Sequence, residues 1–375
     1  MKHCGMNRTK VFIVLVIFAG ILAGGYLFIL GKQPKSNGIV NKDQRSPSVS
    51  QPLDTGIKIV ADNLKTPWEL AFLKDNEILV TERPGTLILI KQGQKIPISG
   101  VKASGEGGLL GLAIHPNFET NRWIYLYLTT GTDGRLTNKV ERYRFKDGQL
   151  SERTVIIQGI GGASNHDGGR IAFGPDGNLY ITTGDAGNPN TAQDQTSLNG
   201  KILRVKDDGS IPTDNPFGNA VYSYGHRNPQ GLAWDDNGKL WSTEHGRSGV
   251  LTGLDELNLI EKGKNYGWPL ISGDETRAGM TRPVVHSGPD TTWAPSGAAF
   301  YNGSIYFSGL RGQAIYEYKI TDKSLNAYFK DKLGRIRTVV LGPDKYLYIL
   351  TSNTDGRGTL QEGDDKLIRI DPNIL

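Results

Sequence analysis

The sequence predicts an all-β protein, a six-bladed β-propeller preceded by an N-terminal hydrophobic helix and a flexible linker. Three observations carry this. The 375 residues include 49 glycines and only 22% are charged, a composition that favours turns over long helices. From Leu53 onward, short β-branched and aromatic runs are bounded by Gly, Asn, Asp and Pro, the pattern of strands joined by tight turns. Within that region one weak pattern recurs six times, an apolar pair leading into a turn and the turn into an alternating strand.

Taken in order, the first element is Val11 to Leu30, an apolar stretch without a charge. It is long enough to span a bilayer. Lys2, Arg8 and Lys10 precede it, which holds the N-terminus in the cytoplasm and sends the rest outward. No small-x-small cleavage site follows Leu30, so residues 1–32 read as an uncleaved anchor, with a cleaved signal segment as the alternative. The body is then extracytoplasmic and tethered, or secreted if cleavage occurs. Cys4 precedes the apolar stretch and is the sole cysteine, so no disulfide can hold the exported body together. Residues 33–53 are polar, with Pro, Ser and Asn, and read as a flexible spacer.

Residues 54–375 form the predicted propeller. The six copies are Phe72–Val80, Ala113–Leu128, Ala172–Thr182, Ala233–Ser242, Ala299–Ser308 and Val340–Leu350. Several lead to a further strand with basic-apolar alternation, such as Lys201–Val205 and Lys366–Ile370. Each copy is one supersecondary unit that must stack on its neighbours, hence six blades. The spacing runs from roughly forty to over sixty residues, so some blades carry long inserted loops, where function is expected. The formal charge of +5 belongs mostly to Lys2, Arg8, Lys10 and Lys32; without them about +1 remains. No basic run interleaved with aromatics is present, so a nucleic-acid partner has no electrostatic footprint.

Polar clusters interrupt the strand pattern. His166, in Asn165-His166-Asp167-Gly168-Gly169-Arg170, has a side chain suited to proton abstraction near neutral pH, or equally to bonding a turn. Asp185, in Gly184-Asp185-Ala186-Gly187, suits either a turn cap or sugar hydroxyls. Gly225-His226-Arg227-Asn228-Pro229-Gln230-Gly231 is too polar for core and points to an anion or quinone site. Glu244-His245-Gly246, Asp255-Glu256 and Asn265-Tyr266-Gly267-Trp268-Pro269 mix carboxylates with Gly-rich backbone, the hard oxygen donors that Ca²⁺ prefers. Arg335-Ile336-Arg337 alternates, which on a strand sends both guanidiniums to one face, towards a carboxylate-rich ligand or towards solvent.

These motifs, with Gly107-Gly108-Leu109-Leu110-Gly111 and Leu198-Asn199-Gly200-Lys201, together resemble the soluble aldose and glucose dehydrogenases of the glucose/sorbosone dehydrogenase type, which use pyrroloquinoline quinone (PQQ). The resemblance spans about residues 55–372, and GHRNPQGL with NYGWP is its most specific pair. It implies a quinoprotein oxidoreductase that oxidises the anomeric carbon of aldoses to lactones, with PQQ as hydride acceptor and Ca²⁺ as Lewis acid. It implies His166 as general base and Arg227 as the cation that stabilises charge on the reduced quinone. Glu106, Arg227, Asn228, Arg311, Arg335 and Arg337 would contact the cofactor, and Asp185 would stand near the substrate. Backbone carbonyls at Gly246 and Arg247 would hold the cofactor's Ca²⁺; Glu256 and the Tyr266 carbonyl would hold a structural one. The electron acceptor is not specified.

Three positions depart from the family pattern: Glu106 stands where glutamine is usual, Arg247 where proline is common, and Arg311 where lysine is frequent. A carboxylate at Glu106 would repel the cofactor's carboxylates unless protonated or bound to calcium. Two other readings compete, a Ca²⁺-dependent lactonase-like propeller hydrolase and a non-catalytic propeller that binds at the cell surface. The dehydrogenase reading requires His166, Arg227, Arg335 and Arg337 to converge on one pocket.

Overall fold

The structure, a computed structural model, describes residues 56–132, 134–247 and 253–375. The expected anchor (1–32) and linker (33–53) lie outside these residues. Among the described residues no helix is long and apolar enough to cross a membrane.

Six four-stranded antiparallel sheets form six blades, and in five of them each strand pairs with the next in sequence. From the axis outward, blade one is Pro67–Phe72, Ile78–Glu82, Thr86–Leu89 and Gln94–Pro97; blade two is Leu109–Ile114, Trp123–Thr132, Arg135–Lys146 and Gln149–Gly161. Blade three is Ile171–Phe173, Leu179–Thr183, Lys201–Val205 and Val221–Tyr224; blade four is Pro229–Trp234, Leu240–Glu244, Glu256–Ile260 and Val285–His286. Blade five is Pro295–Tyr301, Ser304–Gly309, Ala314–Lys319 and Leu325–Tyr328. Blade six takes Ile336–Leu341, Leu347–Thr351 and Leu367–Ile370 from the C-terminal end and its outermost strand, Ile57–Ala61, from the N-terminal end. That strand closes the ring, which leaves no blade edge between first and last repeats.

Each of the six sequence copies is the turn from a blade's innermost strand into its second strand. In three of these turns an aspartate satisfies the turn and a neighbouring ring. Asp176 accepts from the Asn178 N–H (3.1 Å) and, through its other oxygen, from the Tyr180 hydroxyl (3.0 Å) and Arg204 Nε (2.9 Å). Asp344 does the same for Tyr346 N–H (3.3 Å), Tyr348 (3.0 Å) and Arg369 Nε (2.7 Å). Asp235 repeats it with Asn237 N–H and Trp241 Nε1. The basic-apolar alternation of Lys201–Val205 and Lys366–Ile370 thus has a local use: Arg204 and Arg369 reach back to the turn aspartate of their own blade. Such self-satisfying aspartates hold a turn at little cost.

Blades pack through apolar faces, giving six hydrophobic clusters, one between each adjacent pair. Leu79, Leu112, Ile124 and Leu126 lie between blades one and two, and Trp241, Leu257, Phe307 and Tyr316 between four and five. Both faces of these strands are buried, hence near-continuous apolar runs such as Leu179–Ile181.

Candidate active site

One end of the ring is formed by the chain entering each innermost strand and leaving each second strand. The segments before Ile171, Pro229 and Ile336 carry His166, Arg227 with Asn228, and Arg335 respectively; those after Glu82, Thr183 and Glu244 carry Arg83, Asp185 and His245. The innermost strands also bulge here. Pro229↔Glu244 is followed by Gly231↔Thr243, and Ile336↔Thr351 by Thr338↔Leu350, so Gln230 and Arg337 are the extra residues. Trp68 is extra in the same way in blade one. Bulges re-aim side chains, and these three meet: Arg337 Nη1 donates to Gln230 Oε1 (2.8 Å), and its guanidinium lies 5.8 Å from the Trp68 ring centroid. Arg335 precedes the first paired residue of its strand. The two arginines therefore share the site through a bulge, not through the simple alternation expected.

His166 is held firmly. Its φ of 59° is left-handed, unusual for a non-glycine residue. Its N–H donates to Glu106 Oε2 (3.0 Å) and its carbonyl accepts from the Ala186 N–H (3.2 Å). A Cβ on Gly184 would stand 1.9 Å from that carbonyl oxygen, so only glycine admits the approach. The ring Nδ1 lies 2.7 Å from Asp185 Oδ1. Burial raises the Asp185 carboxyl, but bonds from His166, the Gly187 N–H and Trp268 Nε1 (2.9 Å) outweigh it and hold the group below its ordinary value. An ionised carboxylate only accepts, so Nδ1 carries the proton and Nε2 presents its lone pair. Nε2 makes no hydrogen bond among the described residues. Asp185, expected near substrate, is engaged with both oxygens and acts as the orienting partner of His166. Trp268 also faces Arg227, whose guanidinium lies 5.4 Å from its ring.

Beside His166 lies a cationic cluster. Arg335 binds Asp355 Oδ2 through Nε (3.1 Å) and Nη2 (2.8 Å). Arg357 Nη1 binds Glu106 Oε1 (3.0 Å). Arg83 lies within electrostatic reach of Arg335, Arg357, Glu106 and Asp355, and Arg337 within reach of Arg83, Arg335, Glu106 and Asp355. Burial, with its like-charged neighbours, pushes the Arg337 guanidinium down to about 9. Glu106 goes the other way: burial raises it, while His245, the His166 N–H and Arg357 together bring it to about 2. His245 is itself pushed down to about 4 by burial, so near neutrality the His166 N–H and Arg357 keep Glu106 ionised.

Among the described residues, three buried nitrogens in this region have no hydrogen-bond partner: Asn228 Nδ2, Arg337 Nε and His245 Nε2. Asn228 is fixed through its other end, Oδ1 accepting from the Gly168 N–H (2.9 Å). Buried donors are nearly always satisfied, so unpartnered ones on Asn228 and Arg337 beside clustered guanidiniums mark a place for an acceptor-rich anion. PQQ, with its carboxylates and quinone oxygens, has that chemistry.

The expected metal positions divide. Gly246 N–H donates to Asp255 Oδ1 (2.8 Å), while Asp255 Oδ2 takes Thr292 Oγ1 and the N–H groups of Trp293 and Ala294. Arg247 is exposed and reaches Ser272 Oγ (2.5 Å). Glu256 stands directly across from Glu244 in blade four. Burial first, then the Glu244 charge, pushes its carboxyl up to about 8. The Tyr266 carbonyl accepts no hydrogen bond among the described residues. A carboxyl so disfavoured as an anion suits an added cation. Among the described residues, no group of three or more His, Cys, Asp or Glu side chains is placed to hold a metal. Arg311 is exposed in the turn after blade five's second strand, its N–H bound to the Trp293 carbonyl (3.1 Å).

Arg83, Arg357, Asp355, Trp268 and His245 were not singled out as site residues by the sequence. For two of them the signal was positional: Arg83 and His245 directly follow second strands, one place before the position that Asp185 holds in blade three.

Comparison with known proteins identifies the family. The aldose sugar dehydrogenase YliI of Escherichia coli is 36% identical over 348 residues, covering 81% of this chain and 92% of that protein. Quinoprotein glucose dehydrogenase B of Acinetobacter calcoaceticus is 39% identical over 261 residues, 59% of this chain and 54% of that one. The PQQ-bound structure of the aldose sugar dehydrogenase from Streptomyces coelicolor superposes with a TM-score of 0.77 at 39% identity, covering 86% of this chain and 99% of that one. A family model for glucose/sorbosone dehydrogenase matches residues 64–368, so this chain belongs to the glucose/sorbosone dehydrogenase family.

Proposed function

We propose that this protein is a PQQ-dependent quinoprotein oxidoreductase that oxidises the anomeric carbon of an aldose to the lactone. The observation that carries the reading is the convergence, at one end of the ring, of the Asp185-oriented His166 with unpartnered donors on Asn228 and Arg337. Relatives described as aldose sugar and quinoprotein glucose dehydrogenases support it. Arg335 and Arg337 would take the cofactor's carboxylates, Asn228 and Arg227 its quinone end, and Arg311 its rim. When bound, the quinone supplies the two-electron acceptor for the hydride leaving the sugar carbon. His166 Nε2 takes the proton of the anomeric hydroxyl, and Asp185 stabilises the imidazolium that forms. Arg227 supplies positive charge where negative charge develops.

Calcium is assigned two places, the Gly246 and Arg247 carbonyls beside the cofactor and Glu256 with the Tyr266 carbonyl. We also assign the protein to the outside of the cell membrane, tethered through residues 11–30, on the apolar length of that stretch and the basic residues before it. The hydrolase alternative needs side-chain carboxylates converging on one metal, whereas Asp185 and Asp255 are separately occupied. The test is to load the full chain with PQQ and Ca²⁺ and assay a panel of aldoses with an artificial electron acceptor. Reduction of the acceptor with lactone formation is expected. Bound quinone with no turnover of any aldose would overturn the substrate assignment.

A further inference from the structure

Glu106 is the residue that least suits a site for a carboxylate-rich ligand, and its surroundings show how the conflict is resolved. Its Oε2 is committed to the His166 N–H and its Oε1 to Arg357, each at 3.0 Å. Arg357 is placed by Asp355, whose Oδ1 accepts the Arg357 N–H (2.9 Å) and whose Oδ2 holds Arg335. Four residues thus form one chain of contacts, Arg335–Asp355–Arg357–Glu106, in which the Asp355–Arg357 step runs through the Arg357 backbone and the last step ends on the backbone of His166. It joins blade six to the loops before blades two and three, across 251 residues of sequence at the Glu106–Arg357 step. The Arg357 side chain is 55% exposed and that of Glu106 17%, so the arginine approaches from the solvent side.

We propose that Arg357 is a positioning residue for the cofactor, a clamp that neutralises Glu106 and so lets a carboxylate stand where an uncharged amide would otherwise be required. The inference rests on the PQQ assignment. It adds a residue that acts on the ligand through another side chain. With the pair intact, Glu106 contributes a fixed acceptor for the His166 backbone and almost no net charge to the pocket. Without Arg357, an ionised carboxylate faces the ligand's carboxylates with its neutralising partner gone. Like-charge juxtaposition of that kind costs much more than loss of an exposed ion pair alone.

A double-mutant cycle read by equilibrium PQQ binding, followed by absorbance titration rather than turnover, tests this. Arg357→Gln is expected to weaken binding by about tenfold or more. Glu106→Gln is expected to bind at least as well as the unaltered chain. In the Glu106→Gln background, Arg357→Gln is expected to cost less than about threefold, and Arg357→Lys in the unaltered background is expected to retain most of the affinity, since charge is kept. Equal losses from Arg357→Gln in both backgrounds would mean that Arg357 acts on the ligand by its own charge, and would overturn the clamp while leaving the cofactor assignment intact. Failure of both the unaltered chain and Glu106→Gln to bind PQQ would overturn the assignment and the clamp together. Melting curves of all variants check that the effect is on binding: Arg357→Gln in the unaltered background melting with the parent yet binding poorly supports the clamp, and losses in its binding that track losses in melting temperature overturn it.

Discussion

The turns at the two ends of the propeller use the same residue types to opposite effect. At the end bearing Asp176 and Asp344, each aspartate is matched by an aromatic hydroxyl, a backbone N–H and an arginine from its own blade. At the other end, arginines come from blades one, four and six, and Asn228 Nδ2, Arg337 Nε and His245 Nε2 have no hydrogen-bond partner among the described residues. The first arrangement is closed within a blade and stabilises the fold. The second is completed only by something from outside.

The comparison breaks most sharply at His166. His166→Ala should lower turnover by roughly 10²-fold or more, the usual scale for loss of a general base. PQQ affinity should hardly change, since the donors on Asn228 and Arg337 remain. Steady-state kinetics alongside a PQQ titration checks both halves; unchanged turnover would remove His166 from the chemistry.

Next in size is the effect at Glu256. Its carboxyl is raised from 4.5 to about 8 in the folded chain. The folded state therefore binds a proton that the unfolded state has released between those values, and stability falls as pH rises through that window. Chelated protein should lose melting temperature between pH 5 and 8 relative to Glu256→Gln, by a few degrees, at about 2 °C per kcal/mol for a domain of this size. Calcium should restore the parent most at the alkaline end, because a ligand bound only to the native state stabilises it. A parent and variant with parallel pH profiles, both indifferent to calcium, would remove the metal from Glu256.

The contrast between the two ends also explains what the sequence could disclose. Six blades were legible because an apolar pair, a turn and an alternating strand recur locally, and in three of those turns Asp176, Asp344 and, two positions earlier in its turn, Asp235 accept from a backbone N–H two residues on. His166, Asp185, Arg227, Asn228, Arg335 and Arg337 were legible through short motifs. Arg357 was not, because its partner Glu106 comes from another blade and meets it only after Ile57–Ala61 closes the ring. Gln230 and Trp68 were hidden for a different reason: bulges turn them towards Arg337, and strict alternation does not reveal a bulge. Asp185 was legible as a site residue, yet its role was not, since that depends on the Trp268 indole reaching it from blade four.

The smallest expected effect lies at the closed end. Asp344→Asn keeps the side chain's shape and its acceptor oxygen for one partner, but removes the charge that Arg369 and Tyr348 share. Arg369 and Asp344 are each roughly 30% exposed, so solvent screens the pair and the loss should be about 1 kcal/mol or less. The melting temperature should fall by roughly 2 °C or less, and turnover and PQQ affinity should match the parent, because nothing in this turn touches the opposite end. A kinetic defect in Asp344→Asn larger than its loss of stability would show that the two ends are coupled. The division of labour between closed and open turns would then fail, since it requires that charge removed from a self-satisfied blade turn be felt only by that blade.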